Sequence, residues 1–87
     1  MSDPRLLISI EVVDFLRKFS RREQERLLAR FRDIAAFPSN FCDYFEQDSA
    51  GRRLGVHIIG RFAIKFWDDS ADRHVKILDV HLADYLN

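Results

Sequence analysis

The chain has 87 residues, 47% of them apolar and 13% aromatic, with 14 Lys+Arg set against 14 Asp+Glu. That is enough apolar material for one core and too little chain for two, and it excludes a disordered segment. Zero net charge removes any bulk electrostatic case for a nucleic-acid partner, so a basic surface would have to come from charge segregated to one face.

The N-terminal "MSDPRLLISI" lacks the basic start and the long apolar run of a secretory signal. No apolar run approaches the length that spans a membrane, so a cytoplasmic protein with no membrane contact is expected. A lone cysteine, Cys42, has no disulfide or C-x-x-C partner and reads as a buried structural thiol. A second copy of the chain, or a partner peptide laid over one face, would supplement so small a core.

After Pro4, "RLLISI" reads as a short extended segment. Ser9 is the expected N-cap of a helix over "IEVVDFLRKF", in which Val12, Phe15, Leu16 and Phe19 form one stripe. Glu11 sits where the helix dipole favours negative charge. Ser20 and Glu23 in "SRRE" spell a capping box for a second helix, with the stripe Leu27, Leu28, Phe31, Ile34 and Ala35 and a stop at Pro38. Arg22, Arg26 and Arg30 recur every fourth residue, a row that repels itself unless acidic neighbours or an anionic partner offset it.

From residue 41 the period changes to two. "FCDYFEQD", "RRLGVHI", "RFAIKFW" and "HVKILDVHL" read as strands, separated by the turns "DSAG" and "DDSAD". A short N-terminal strand, a two-helix hairpin and a three- or four-stranded antiparallel meander make one α+β domain over residues 1–87. Within "HIIGRFAIKFWDD" a three-residue turn, Ile59-Gly60-Arg61, would pair Ile58 with Phe62, Val56 with Ile64 and Leu54 with Phe66. All six apolar residues would then meet the helices. Arg53, Gly55, His57, Ala63, Lys65 and Trp67 would line the opposite, open face, with Arg61 at the bend.

An open sheet face with that lining carries the groups for metal-free RNA cleavage. Such chemistry needs a base for the 2′-hydroxyl, a cation for the phosphorane charge and an acid for the leaving oxygen. His57 or His81 would serve as base or acid, and Arg53, Arg61 or Lys65 as the cation. Tyr85 would act as an acid or stack on a base, and Trp67 is a second stacking surface. The same residues equally suit the solvated side of a two-layer sheet. "DDSAD" has Arg73 where a calcium loop needs glycine, so it reads as a charged turn, with Asp79 and Asp84 pairing Lys76 or Arg53. His57, His74 and His81 lack metal-ligand spacing, and the chain has no Gly-rich phosphate loop and no G-x-S-x-G.

The order of elements, with "EVVDFLRKFSRREQERLLARFRDIAAFP" as helical hairpin and "GRRLGVHIIGRFAIKFWDDSADRHVKILDV" as sheet, resembles the RelE/ParE toxin superfamily. The resemblance implies a small bacterial toxin held in check by a cognate antitoxin peptide. In the RelE branch it implies a ribosome-dependent mRNA endoribonuclease using no metal or cofactor. In the ParE branch it implies a protein-binding module that poisons DNA gyrase. On the first reading Arg61, Lys65, His81 and Tyr85 would be catalytic, with Arg53, His57 and Trp67 contacting nucleic acid. The chain departs from the pattern at Ala63, where active members usually carry arginine, and in its neutral charge.

Overall fold

The computed structural model describes residues 5–83. In chain order the elements are β1 (Arg5–Ile8), α1 (Ile10–Leu16), α2 (Arg21–Ala36), a 3-10 turn (Pro38–Phe41), β2 (Tyr44–Gln47), β3 (Arg53–Ile59), β4 (Phe62–Asp69) and β5 (His74–Leu82). The sheet order is β1-β5-β4-β3-β2, with β1 parallel to β5 and the remaining neighbours antiparallel. The architecture is α+β as expected, and β1 joins the four-stranded antiparallel meander through a parallel pairing with β5 to make a five-stranded mixed sheet. No helix among the described residues is long and apolar enough to cross a membrane.

Both helices start where their caps place them. The Ser9 hydroxyl accepts from the Val12 N–H, and the Ser20 hydroxyl accepts from the Glu23 N–H. α1 is shorter than its apolar stripe implies. After Leu16 the Lys18 and Phe19 N–H groups donate to Phe15 and Leu16 carbonyls three residues back, which tightens and ends the helix. Phe19 still reaches the core, its ring tilted on Phe15 at 4.9 Å and edge-on to Phe62 at 5.2 Å between centroids. α2 buries Leu27, Phe31, Ile34 and Ala35 against the sheet and stops before Pro38, which opens the 3-10 turn. That turn takes up the start of the expected strand over residues 41–48, so β2 begins only at Tyr44.

The β3–β4 hairpin corrects the expected register. Its turn has two residues, Gly60 and Arg61, and pairs Ile59 with Phe62, His57 with Ile64 and Gly55 with Phe66. Gly60 has φ 58° while Arg61 stays at negative φ, the pattern of a type II′ turn with glycine first. This turn follows the strand twist, which a three-residue loop without glycine in its left-handed place does not. The helix-facing set is accordingly Gly55, His57, Ile59, Phe62, Ile64 and Phe66. Leu54, Val56 and Ile58 turn to the other face with Ala63 and Lys65. The exchange is tolerated because that face is also apolar: Val56, Ala63 and Leu54 are all buried there.

β5 carries a second shift. Phe66 pairs with Ile77 but Lys65 pairs with Asp79, so Leu78 is an extra, bulged residue. Ile77 and Val80 both enter the core because of it. Ser9 holds the bulge, its N–H donating to the Ile77 carbonyl at 3.1 Å and its hydroxyl to the Leu78 carbonyl at 3.3 Å.

The Gly55–Phe66 pair gives a direct test of the register. A methyl group on Gly55 would lie 2.5 Å from the Phe66 Cζ, so the ring must move. Gly55→Ala is expected to cost about 1–3 kcal/mol of stability by urea denaturation, with partial recovery on adding Phe66→Leu. Under a register pairing Leu54 with Phe66 the single substitution would be nearly silent.

Candidate functional site

The register distributes the expected site residues over two faces. Lys65, Trp67 and His81 lie on the open face, with Ala63 paired to His81 and Lys65 to Asp79. Arg53 and His57 lie on the helix side, which corrects their placement beside Lys65. Arg61 leaves the turn toward the helices, its Nη2 donating to both Glu23 carboxylate oxygens at 2.9 and 3.1 Å. Its guanidinium also stands 5.2 Å from the ring centroids of Phe19 and Phe62. Tyr85 and Asp84 lie outside the described residues.

On the helix side His57 is only 7% exposed and sits inside a charged cluster. Arg30 Nη1 donates to His57 Nε2 at 2.6 Å. A guanidinium has no lone pair to accept with, so His57 must be neutral with its hydrogen on Nδ1. Asp43 Oδ2 is 3.2 Å from that Nδ1, but off the line of a well-formed hydrogen bond. The same oxygen accepts the Ile58 N–H at 2.7 Å, and the Asp43 N–H donates to the Val56 carbonyl. Phe41 stands edge-on to the imidazole at 5.4 Å, and Asp33 pairs with Arg30 from α2 at 3.6 Å. This cluster ties the 3-10 turn and β2 to α2. It also explains one member of the arginine row: Arg30 is offset by Asp33 and placed on a buried histidine.

Arg53 stacks on Phe45 at 3.8 Å and lines a cavity of about 110 Å³ with Cys42, Gly55, Phe66 and Asp68. Cys42 is half-buried rather than buried, its thiol directed to the Tyr44 carbonyl at 3.2 Å. The cavity is on the far side of the sheet from His81 and shares no chemistry with it.

The open face is a row of paired charges. Lys65 Nζ is 2.9 Å from Glu46 Oε1, and that hydrogen bond holds the ammonium above its usual range against the opposing effect of burial. Lys65 is thus a fixed cation and not a base. Lys76 pairs with Asp69 at 3.4 Å and Arg52 with Asp48 at 2.6 Å, correcting the expected pairing of Lys76 with Asp79. Both cations approach the Trp67 ring, at 4.7 and 4.6 Å. Asp79 instead meets His81, with Oδ2 3.0 Å from Nδ1 and both side chains about half exposed. Among the described residues no three His, Cys, Asp or Glu are grouped so as to hold a metal ion.

Glu46 and Asp43 were not singled out by sequence reasoning, and Asp79 and Arg30 were read there without their histidine partners. Asp79 had a readable signal: "HVKILDVHL" breaks its alternation at Ile77-Leu78, which marks the bulge. Glu46 and Asp43 had none, since their partners lie on other elements.

Burial pushes the His57 pKa down, Asp43 opposes this and Arg30 reinforces it. The unfolded chain, with its histidine near pH 6.5, then binds a proton that the folded state refuses. Stability is expected to fall as pH drops below about 6.5 and to level off under the depressed folded value. His57→Gln, whose amide oxygen can still accept from Arg30, should flatten the difference between pH 7 and 5.5 in thermal melts.

No family model and no curated protein matches the chain. Among solved structures it matches a chain of the archaeal RelE–RelB complex from Pyrococcus horikoshii OT3. The match has a TM-score of 0.79 at 18% identity and covers 98% of this chain and 100% of that one. The fold is RelE-like.

Proposed function

We propose that the chain acts as the toxin of a toxin–antitoxin pair, a cytoplasmic single-domain protein that cleaves mRNA on the ribosome without a metal. The observation that carries this reading is the end-to-end likeness to a RelE–RelB chain. The open face adds a histidine with one nitrogen engaged by a carboxylate, beside a fixed ammonium. In this mechanism His81 Nε2 takes the proton of a 2′-hydroxyl and the freed oxygen attacks phosphorus. Lys65 offsets the charge that gathers on the phosphorane. The bond to the 5′-oxygen breaks, that oxygen takes a proton from water, and His81 returns its own to the resulting hydroxide. Arg61 then serves the fold through Glu23 rather than the substrate. An antitoxin strand would find unpaired backbone on β2, a four-residue edge strand with Tyr44 and Phe45 exposed.

The pairing of Lys65, Lys76, Arg61 and Arg52 with carboxylates, together with Ala63, favours a second reading. In it the chain is a non-catalytic module that binds a protein, either an antitoxin or a ParE-type gyrase target. Induced expression in a bacterium separates the two. Growth arrest with mRNA cut in the ribosomal A site, abolished by His81→Ala and retained by Arg61→Ala, is the expected result. Arrest with DNA damage and intact mRNA would instead establish the binding module.

A further inference from the structure

β5 places two polar residues, Asp79 and His81, on a face that an unbroken strand would deny them. Val75 and Ile77 are core residues paired with the helix-facing side of β4. Strict alternation from Ile77 would send Asp79 and His81 into that core as well. The extra residue Leu78 reverses the phase, so Val80 fills the core while Asp79 and His81 emerge beside Lys65 and Ala63. The bulged Leu78 has no partner on β4, and its carbonyl accepts from the Ser9 hydroxyl, while the Ser9 N–H continues the parallel β1–β5 ladder to the Ile77 carbonyl. The N-cap of α1 thus braces the bulge in β5 from the β1 side.

Once on the same face, two residues apart, Asp79 and His81 touch: Oδ2 is 3.0 Å from Nδ1. A carboxylate at that nitrogen keeps the hydrogen of the neutral ring on Nδ1 and leaves the Nε2 lone pair free. An isolated imidazole favours the opposite tautomer, so the carboxylate has a measurable effect. Ala63, paired with His81 across β4, adds almost no bulk beside the ring. Lys65 remains an ammonium with Glu46 as its ion-pair partner, and the Asp79 carboxylate hydrogen-bonds His81.

We infer that Asp79 is a positioning residue: with the Ser9-pinned bulge at Leu78, it presents His81 Nε2 as a proton acceptor on the open face. This rests on the ribonuclease reading for its purpose, but not for its geometry. Each is read separately on the full chain.

Long-range nitrogen–proton NMR on the histidine-labelled protein at pH 8 reads the tautomer. His81 is expected mainly as the Nδ1–H form, changing to mainly Nε2–H in Asp79→Ala. Single-turnover cleavage of mRNA on ribosomes reads the consequence. Asp79→Ala should slow cleavage by about tenfold and His81→Ala by about 100-fold or more, with little change in the concentration for half-maximal rate. An Nε2–H tautomer in the unsubstituted protein, or no change in Asp79→Ala, overturns the positioning role whatever the activity. A changed tautomer with unchanged cleavage overturns its use in catalysis. A chain that cuts no RNA while showing the Nδ1–H tautomer overturns the ribonuclease reading and leaves the positioning of the ring standing.

Discussion

Gly60 adopts φ 58° at the first position of a two-residue turn, and the side of the sheet on which each β3 side chain lies follows from that one backbone angle. The turn commits Ile59 to Phe62, and the strand period then carries the commitment back to Gly55 and Phe66. A slip of one residue would put His57 in solvent and Leu54 in the core. The slip is opposed at three points along the hairpin. Glycine suits the left-handed turn position, Gly55 leaves room for the Phe66 ring, and Arg30 donates to the buried His57 with the Asp43 carboxylate beside it. Each is a local interaction that only one register makes.

The bulge at Leu78 does for β5 what the turn does for β3. Both devices adjust phase by a single residue, and both are held from the helical layer. Arg61 in the turn reaches Glu23 near the start of α2, and the carbonyl of the bulged Leu78 accepts from the Ser9 hydroxyl at the start of α1. The helix N-termini therefore do more than begin helices. They tie the sheet's two register-setting irregularities to the layer that covers it, so hairpin phase and helix docking become one cooperative arrangement.

The charge balance acquires a structural meaning in this arrangement. Lys65, Lys76, Arg52 and Arg61 are not a free grip for an anion, because Glu46, Asp69, Asp48 and Glu23 stand within salt-bridge distance of them. Exposed pairs of this kind contribute little to stability. Their effect is on recognition, since they lower the field that would draw a polyanion to the face. A function on this face has to rest on specific groups, and the His81–Asp79 pair beside Lys65 is the most specific arrangement there.

The elements were legible in the sequence because their signals are local. Ser9 and Ser20 cap helices through bonds to residues three positions on, and the stripes from Val12 and Leu27 follow the helical period. The change to a period of two after residue 41 marks the sheet. Which face each strand buries was not legible, because β3 is apolar on both sides: Leu54 and Val56 on one, Ile59 with a buried His57 bonded to Arg30 on the other. Period alone cannot choose between two apolar faces. The tertiary structure chose, through a turn geometry that needs glycine first and through partners on α2 and after the 3-10 turn that make a buried histidine affordable. The same holds for the candidate site. Its residue types stand in the sequence, but Asp79 meets His81 only because a bulge, held by a serine on another element, turns both to one side.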